Sequence, residues 1–240
     1  MEVIVLQHIK IEDPGYIKDL MLLDDVNLTT IELDEGEKIP NDFNKFDAMF
    51  CMGGPMDTWM EDKYPWLIDE KKKIKNFVVE LKKPYLGFCL GCQLLGEVVG
   101  GNVIKSKKPE IGMLNVSFLK EKSNDILFSS FPDQIKTLQW HSYEVVNLEN
   151  NKDITLLASS TNTKYQIFKY QNHAYGIQFH IEVKDTTVND WSCVVEYKSA
   201  LEEQLGVGAL EKFDKEAKSN MSQMNKRSKI LYSNFKTIIS

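Results

Sequence analysis

The sequence has no uninterrupted apolar run of about 18 residues, which is the length that a membrane-spanning helix requires. Its opening segment, MEVIVLQHIK, also lacks the basic region and the long apolar stretch of a secretory signal peptide. Both absences favour a protein that neither spans a membrane nor is exported. We therefore expect a cytoplasmic location.

An excess of positive charge is absent too. The 29 Lys and Arg residues against 35 Asp and Glu residues give a formal net charge of −6. Such a chain has no general electrostatic attraction to nucleic acid or to an anionic membrane surface, so neither is an expected partner. Lysine-rich runs at 71–73 and 105–108 indicate solvated surface, with docking onto an acidic partner as the alternative.

Cysteine is scarce. The four cysteines are Cys51, Cys89, Cys92 and Cys193, and without an export signal we expect reduced thiols. No second cysteine pair and no His-x-x-x-His spacing accompanies Cys89-x-x-Cys92, so no metal site is expected. A redox-active dithiol of Cys89 and Cys92 stays open as an alternative. Cys51 and Cys193 are expected to be core thiols.

Strand-like and helix-like segments alternate through the first part of the chain. Apolar runs at 3–6, 28–33, 46–51 and 85–88 are separated by helical patterns, among them 66–82 and 90–99. This alternation predicts an α/β fold with a mostly parallel central sheet and helices on both faces. Short strands are expected at 114–119, 137–140, 155–159, 165–170 and 174–179.

No internal repeat, low-complexity linker or change in composition divides the chain. Its 240 residues are enough for one α/β domain. We therefore expect a single domain over 1–240, with a core at about 1–185 and a helical C-terminal extension at about 186–240. The extension could cover the core or form a homodimer contact.

The most informative segment is YLGFCLGCQ at 85–93, where an apolar strand passes through Gly-x-Cys-x-Gly into a helix. This is the sulfur form of the nucleophile elbow, a sharp turn that exposes its central side chain at the end of a strand. Gly87 and Gly91 remove Cβ atoms that would crowd the turn. The helix start favours a thiolate at Cys89, and the Leu90 N–H is placed to donate to an oxyanion. An isolated cysteine is more often a buried structural thiol, but the glycines and the strand-to-helix context favour a nucleophile.

A second candidate group lies in YGIQFHIEV at 175–183. On an extended chain His180 and Glu182 share one face, while Ile181 points to the other face and into the core. A carboxylate that binds one imidazole nitrogen leaves the other nitrogen facing a nucleophile, as a catalytic base requires. The alternative is a surface histidine beside a surface glutamate on an edge strand, and the elbow elsewhere in the chain favours the base.

Acyl transfer through a tetrahedral intermediate usually uses two oxyanion donors. Gly53-Gly54-Pro55 follows a predicted strand, and because Pro55 has no N–H, the second donor would be Gly53 or Gly54. An ordinary tight turn is the alternative for this segment.

These segments resemble the motifs of the class I, or triad-type, glutamine amidotransferases. GFCLGCQLLG at 87–96 resembles the nucleophile motif, GIQFHIEV at 176–183 looks like the His-x-Glu motif, and MGGP at 52–55 is similar to the oxyanion loop. The resemblance covers about residues 1–185. Segments 6–15, 108–112 and 140–142 are most similar to stand-alone members related to the amidotransferase domain of GMP synthase, although Ile181 stands where many members carry proline.

The resemblance implies a flavodoxin-like α/β fold and hydrolysis of the γ-carboxamide of glutamine. The reaction would pass through a γ-glutamyl thioester, release ammonia and need no cofactor. The site residues that the resemblance carries over are the triad Cys89, His180 and Glu182, the oxyanion donors Gly54 and Leu90, and the pocket residue Gln93.

Other functions stay open on the sequence. The same triad could act on γ-glutamyl peptides or γ-glutamyl amines, and a catalytically silent regulatory module on this fold is a further alternative. If the chain is a glutaminase, we expect the acceptor of its ammonia on a separate synthetase subunit.

Overall fold

The computed structural model describes residues 1–239 of the chain. Within these residues the strands are β1 (Glu2–Gln7), β2 (Asn27–Glu32), β3 (Ala48–Cys51), β4 (Tyr85–Phe88), β5 (Asn102–Phe118), β6 (Gln134–Val146), β7 (Ile154–Ser159), β8 (Ile167–Tyr170) and β9 (Ala174–Ile177). The α-helices are α1 (Gly15–Leu23), α2 (Trp66–Lys75), α3 (Leu90–Val98), α4 (Thr187–Trp191), α5 (Val195–Leu205) and α6 (Ala209–Ile239). A π-helical turn over Asn76–Glu80 continues α2, and a 3-10 turn occupies Lys120–Asn124.

All of these strands belong to one sheet, in the order β2-β1-β3-β4-β9-β8-β7-β5-β6. The first five strands of this order run parallel, and the other four continue the sheet through antiparallel pairs. The predicted α/β fold around a central sheet is therefore confirmed. Its parallel half holds the elbow strand β4, and its antiparallel half comes from the segment where the sequence showed strands without intervening helices.

Strands β5 and β6 are longer than the sequence pattern predicted. They have 17 and 13 residues, against predicted runs at 114–119 and 137–140, and they pair with a register shift between Lys105 and Glu110. The additional residues of β5 include exposed lysines. Because backbone pairing needs no apolar side chains, hydrophobic periodicity detects only the part of such a ribbon that lies on the core.

Both faces of the sheet are covered. Along β1, Val3 and Val5 belong to one apolar cluster, while Ile4 and Leu6 belong to the other. Helices α1 and α6 complete the first cluster, and α2 and α3 complete the second. Because both sides are buried, the parallel strands have continuous apolar sequences and not alternating apolar and polar residues.

The long C-terminal helix lies against this core. α6 spans 31 residues and packs Phe235 edge-on against Phe50 of β3, with ring centroids 5.3 Å apart. Its Ser228 hydroxyl donates to the Ile181 carbonyl, next to the predicted base. Despite the length of α6, residues 1–239 contain no helix whose length and hydropathy together suit a membrane span.

All four cysteines are free thiols. Cys51 is buried, as predicted for a core thiol, but Cys193 is exposed, so the prediction of a core position for Cys193 is wrong. Cys193 follows α4. In this segment the much larger Trp191 side chain is the one that packs into the core, and it is buried.

The first turn of α3 fits closely against the end of β3. The Gly91 N–H donates to the Met52 carbonyl at 3.1 Å, and the Tyr85 hydroxyl donates to the Gly91 carbonyl at 2.8 Å. A Cβ atom at position 91 would lie 2.1 Å from the carbonyl oxygen of Cys51. Only glycine therefore permits this approach of helix to strand.

We expect Gly91→Ala to destabilise the protein by about 2 kcal/mol or more, because the added methyl group meets backbone atoms. Gly96→Ala in the same helix is the matched control, since its Cβ would meet only the Val145 side chain, at 2.7 Å, and should cost less. Urea unfolding measures both free energies, and equal values for the two variants would contradict the packing argument.

Candidate active site

Cys89 occupies the turn between β4 and α3. Its backbone has φ 49° and ψ −102°, a combination that residues other than glycine rarely adopt. The Cys89 N–H donates to the Ile177 carbonyl at 2.8 Å, which ties the turn to the end of β9. The side chain is 7% exposed and lines a pocket at the surface. The elbow geometry therefore presents this thiol to a cleft.

His180 and Glu182 lie beyond the end of β9, which stops at Ile177 and not at 179. Instead of continuing the strand, His180 forms an isolated bridge with Leu138 of β6, with N–O distances of 2.9 and 3.2 Å. His180 Nδ1 lies 2.6 Å from Glu182 Oε1, and Glu182 Oε2 accepts the Ile181 N–H at 2.9 Å. Both side chains are buried, so they are not a surface pair on an edge strand.

The surroundings of His180 favour its protonated form. Burial alone would lower the pKa of His180, but the Glu182 carboxylate and the hydrogen bond to the Cys89 side chain raise this pKa well above its usual value. The Trp191 ring covers the imidazole edge-on, with ring centroids 4.6 Å apart. A histidine that is held by a carboxylate and bonded to a cysteine side chain is the arrangement of a nucleophile with its base.

Two buried glutamines connect the cysteine to the wall of the pocket. Gln178 Nε2 lies 3.7 Å from Cys89 Sγ, and Gln178 Oε1 accepts a hydrogen bond from Gln93 Nε2 at 3.3 Å. Gln93 Nε2 also donates to the Tyr143 carbonyl at 3.2 Å. The structure thus places Gln93 at the pocket and adds Gln178, which sequence reasoning missed although it lies two residues before His180.

The glycine loop at 53–54 lies beside the elbow. Gly54 and Leu90 both line the pocket, and a Cβ atom at Gly54 would lie 3.0 Å from the Leu90 side chain. Among the described residues, neither the Gly54 N–H nor the Leu90 N–H has a protein acceptor. Two free backbone donors next to one nucleophile are what an oxyanion hole requires.

The pocket has a volume of about 210 Å³ and is built from four parts of the chain. It is lined by Gly54, Pro55, Met56, Asp57 and Met60, by Cys89, Leu90 and Gln93, by Trp140, His141, Ser142 and Tyr143, and by Glu196, Tyr197 and Ala200 of α5. Lysine and arginine are missing from this lining, whereas two carboxylates are present. Burial raises the pKa of one of them, Asp57, to about 6.

Glu12 lies near His180, both beside Gly53, and its partner Tyr197 lines the pocket; neither was predicted. The Tyr197 hydroxyl donates to the Glu12 carboxyl group, which is 2% exposed. Burial raises the pKa of Glu12 to about 7, against the opposing influence of His180. A buried glutamate and a tyrosine from a distant helix form no local pattern, so only the place of Glu12 in the family-like segment 6–15 could have singled it out.

A second buried histidine, His8, lies behind the glycine loop. Its ring nitrogens lie 2.9 Å from the Gly53 carbonyl oxygen and 2.9 Å from Glu70 Oε1, and Cys51 Sγ donates to the same carboxylate oxygen at 3.5 Å. Over residues 1–239, His8, Cys51 and Glu70 are the one group of three potential metal ligands, with donor atoms within 4.8 Å of one another. These atoms already bond to one another and to the backbone, so they form a hydrogen-bonded network.

The surroundings of Cys92 test the alternative that Cys89 and Cys92 form a redox-active pair. Burial and, to a smaller extent, the neighbouring Cys89 raise the pKa of the Cys92 thiol well above its usual value. Disulfide exchange needs an accessible thiolate. The surroundings of Cys92 therefore disfavour a redox pair with Cys89.

The raised pKa of Glu12 predicts a pH-dependent stability. Folding raises this pKa from 4.5 to about 7, so the stabilisation is complete below about pH 4.5 and is lost as the pH rises to about 7. The loss is on the order of 3 kcal/mol. Glu12→Gln keeps an acceptor for Tyr197 but does not titrate, so its unfolding free energy should fall less over this range. Urea unfolding at each pH measures both proteins, and parallel profiles would contradict the assignment.

Comparison with known proteins gives a consistent result. A family model described as glutamine amidotransferase class-I matches residues 17–190. A subunit of a glutamine-hydrolyzing GMP synthase from Sulfolobus acidocaldarius is 34% identical over 151 residues, which cover 62% of this chain and 74% of that protein.

Solved structures agree with this match. A glutamine amidotransferase from Thermotoga maritima is 27% identical, with a TM-score of 0.86 and coverage of 100% of this chain and 98% of its own. A putative GMP synthase subunit from Thermoplasma acidophilum is 26% identical, with a TM-score of 0.57 and coverage of 77% and 85%. The family model matches most of this chain, and the relatives and solved structures agree with it. The chain therefore belongs to the class I glutamine amidotransferases and is similar to the amidotransferase domain of GMP synthase.

Proposed function

We propose that this protein hydrolyses the γ-carboxamide of glutamine through a triad of Cys89, His180 and Glu182. The observation that carries the proposal is the meeting of a cysteine in a strained turn with a buried, hydrogen-bonded histidine–glutamate pair. The turn follows β4 and the pair follows β9, and these two strands are parallel neighbours in the sheet. Membership of the family supports the same reaction.

In the acylation step, the Cys89 thiolate attacks the amide carbon, and the electrons of the C=O bond move to the oxygen. The N–H groups of Gly54 and Leu90 stabilise the oxyanion. When the intermediate collapses, the C–N bond breaks, and the proton that His180 took from the thiol passes to the leaving nitrogen. Ammonia departs and a γ-glutamyl thioester remains on Cys89.

In the deacylation step, His180 takes a proton from a water molecule, whose oxygen attacks the thioester carbon. The second oxyanion collapses, the C–S bond breaks, and glutamate leaves. Glu182 holds the Nδ1 proton of His180, so that Nε2 is the nitrogen available to the thiol and the water. Gln93, which lines the pocket beside Cys89, is proposed to contact the glutamyl group.

The acceptor of the ammonia is proposed to lie on a separate synthetase subunit. Relatives named as single subunits of a glutamine-hydrolyzing GMP synthase support such an arrangement. We also propose that the C-terminal extension and the core act as one catalytic domain. Tyr197 supports this, because it lies in α5, lines the pocket and bonds to Glu12.

A second candidate is hydrolysis of γ-glutamyl amines by the same triad, and the charge of the pocket favours it. Asp57 and Glu196 line the pocket and no lysine or arginine does, so a cationic leaving group would find complementary charge there. Glu196 lies beyond the residues that the family model matches, 17–190. This wall of the pocket is thus a place where the substrate of this chain can differ from that of other family members.

Glutamate release from glutamine, γ-glutamyl amines and γ-glutamyl peptides tests the proposal. We expect turnover by the wild type, a loss of about 10⁴-fold or more in Cys89→Ala, and retention of most activity in the matched variant Cys92→Ala. Undiminished turnover by Cys89→Ala would contradict the proposed triad. No turnover by the wild type, together with failure of a glutamine-like chloroketone to label Cys89, would instead indicate a catalytically silent module.

The second candidate predicts a selective effect of the pocket carboxylates. The double variant Asp57→Asn, Glu196→Gln should lower kcat/KM for a γ-glutamyl diamine about tenfold, a change of ~1.4 kcal/mol. An uncharged γ-glutamyl alkylamide of the same length is the matched control substrate and should be little affected. An equal loss on both substrates would show that the carboxylates do not recognise a cation.

A further inference from the structure

His8 links the glycine loop to helix α2. It follows β1 directly and is fully buried, as is its partner Glu70 in α2. Nδ1 lies 2.9 Å from the Gly53 carbonyl oxygen, and Nε2 lies 2.9 Å from Glu70 Oε1. The Trp66 ring stacks on the imidazole, with ring centroids 5.6 Å apart and an interplanar angle of 30°. The imidazole therefore has a defined position and a defined partner at each nitrogen.

The chemistry of these partners determines which atoms donate. A backbone carbonyl can only accept, so Nδ1 of His8 carries a hydrogen and donates it to Gly53. Burial lowers the pKa of His8, but the Glu70 carboxylate and the Gly53 carbonyl outweigh it and raise the pKa above its usual value. With Nδ1 donating to Gly53, Nε2 faces the Glu70 carboxyl group, so both ring nitrogens are engaged.

The bond to Gly53 also determines the direction of the next N–H. The described residues contain no cis peptide bond, and in a trans peptide the C=O and the following N–H point in opposite directions. Because His8 holds the Gly53 carbonyl on the buried side, the Gly54 N–H points away from His8. The pocket that Gly54 and Cys89 line lies at this loop.

We propose that His8 and Glu70 form a clamp that holds the Gly53–Gly54 peptide in the orientation of an oxyanion hole. His8 is thus a positioning residue, which touches no reacting atom and acts through the Gly54 N–H. The inference rests on the proposed function, because acyl transfer is the chemistry that needs this donor. A flipped peptide would turn a carbonyl oxygen toward the developing negative charge.

The loop needs such a clamp because both of its residues are glycines. A Cβ atom at Gly53 would lie 2.0 Å from Glu12 Oε2, and one at Gly54 would lie 2.5 Å from Met56 Sδ. Both atoms are the ends of flexible side chains, but a Cβ atom at Gly54 would also lie 2.9 Å from His8 Cβ, so close packing favours glycine there. Glycine leaves the peptide plane free to rotate. A directed hydrogen bond from a buried ring removes that freedom.

Two conservative variants of His8 separate its two hydrogen bonds. The amide of His8→Asn can place a donor near the position of Nδ1, so it keeps a bond to Gly53 and loses the bond to Glu70. The longer amide of His8→Gln reaches toward the position of Nε2, so it keeps a bond to Glu70 and leaves the Gly53 carbonyl without its donor. Both should also be made with Glu70→Gln, so that neither leaves a buried carboxylate unpaired.

For His8→Gln we expect kcat for glutamate release to fall by about 10²-fold to 10³-fold, with KM little changed, because the Gly54 donor acts in the transition state. His8→Asn should recover most of the wild-type kcat. Iodoacetamide should label Cys89 in both variants at the wild-type rate, since this reaction needs no oxyanion hole. Wild-type kcat in a folded His8→Gln, or equal losses in the two variants, would overturn the clamp.

A readout without substrate keeps the clamp and the proposed function separate. In protein labelled with ¹⁵N-glycine, the Gly54 amide signal should shift strongly in His8→Gln and little in His8→Asn. If the wild type turned over no substrate, the proposed function would fail, while the Gly54 signal would still decide whether His8 orients this peptide. An unmoved Gly54 signal in His8→Gln would overturn the clamp.

Discussion

The site depends on the close contact between the first turn of α3 and the end of β3. At this contact Gly91 lies against the Cys51 carbonyl, two residues after Cys89 with its strained backbone at the start of the helix. The same contact brings the loop after β3, with Gly53 and Gly54, beside the elbow. One packing constraint thus positions both Cys89 and the glycine loop beside it.

Two buried histidine–glutamate pairs surround these elements and differ in what they touch. His180 with Glu182 lies next to the thiol, where the imidazole can exchange protons with sulfur and substrate. His8 with Glu70 bonds to the backbone of the glycine loop and to the Cys51 thiol, packs against Trp66 and is fully buried. Buried ionisable groups are costly unless they are paired, and the His8–Glu70 pair also joins the end of β1 to α2.

The C-terminal extension forms part of the pocket wall. Helix α5 contributes Glu196 and Tyr197 to the lining, and α4 places Trp191 against His180. The structure from Thermotoga maritima matches this chain over its full length, whereas the putative GMP synthase subunit from Thermoplasma acidophilum covers 77% of it. The structural similarity to the Thermotoga maritima protein therefore includes the extension that forms this wall of the pocket.

The sequence by itself determined the groups whose chemistry is local: Gly-x-Cys-x-Gly between strand and helix, His-x-Glu after a strand, and a glycine pair after another. Each motif can be recognised in the sequence because a few consecutive residues determine its geometry. Only the tertiary structure decided the rest, because Glu12 meets Tyr197 across 185 positions and His8 meets Glu70 across 62. It also decided that Cys193 is exposed and that β5 extends far beyond its apolar part. Such contacts follow from the order of strands in the sheet and from close packing between distant segments, which no local pattern of side chains encodes.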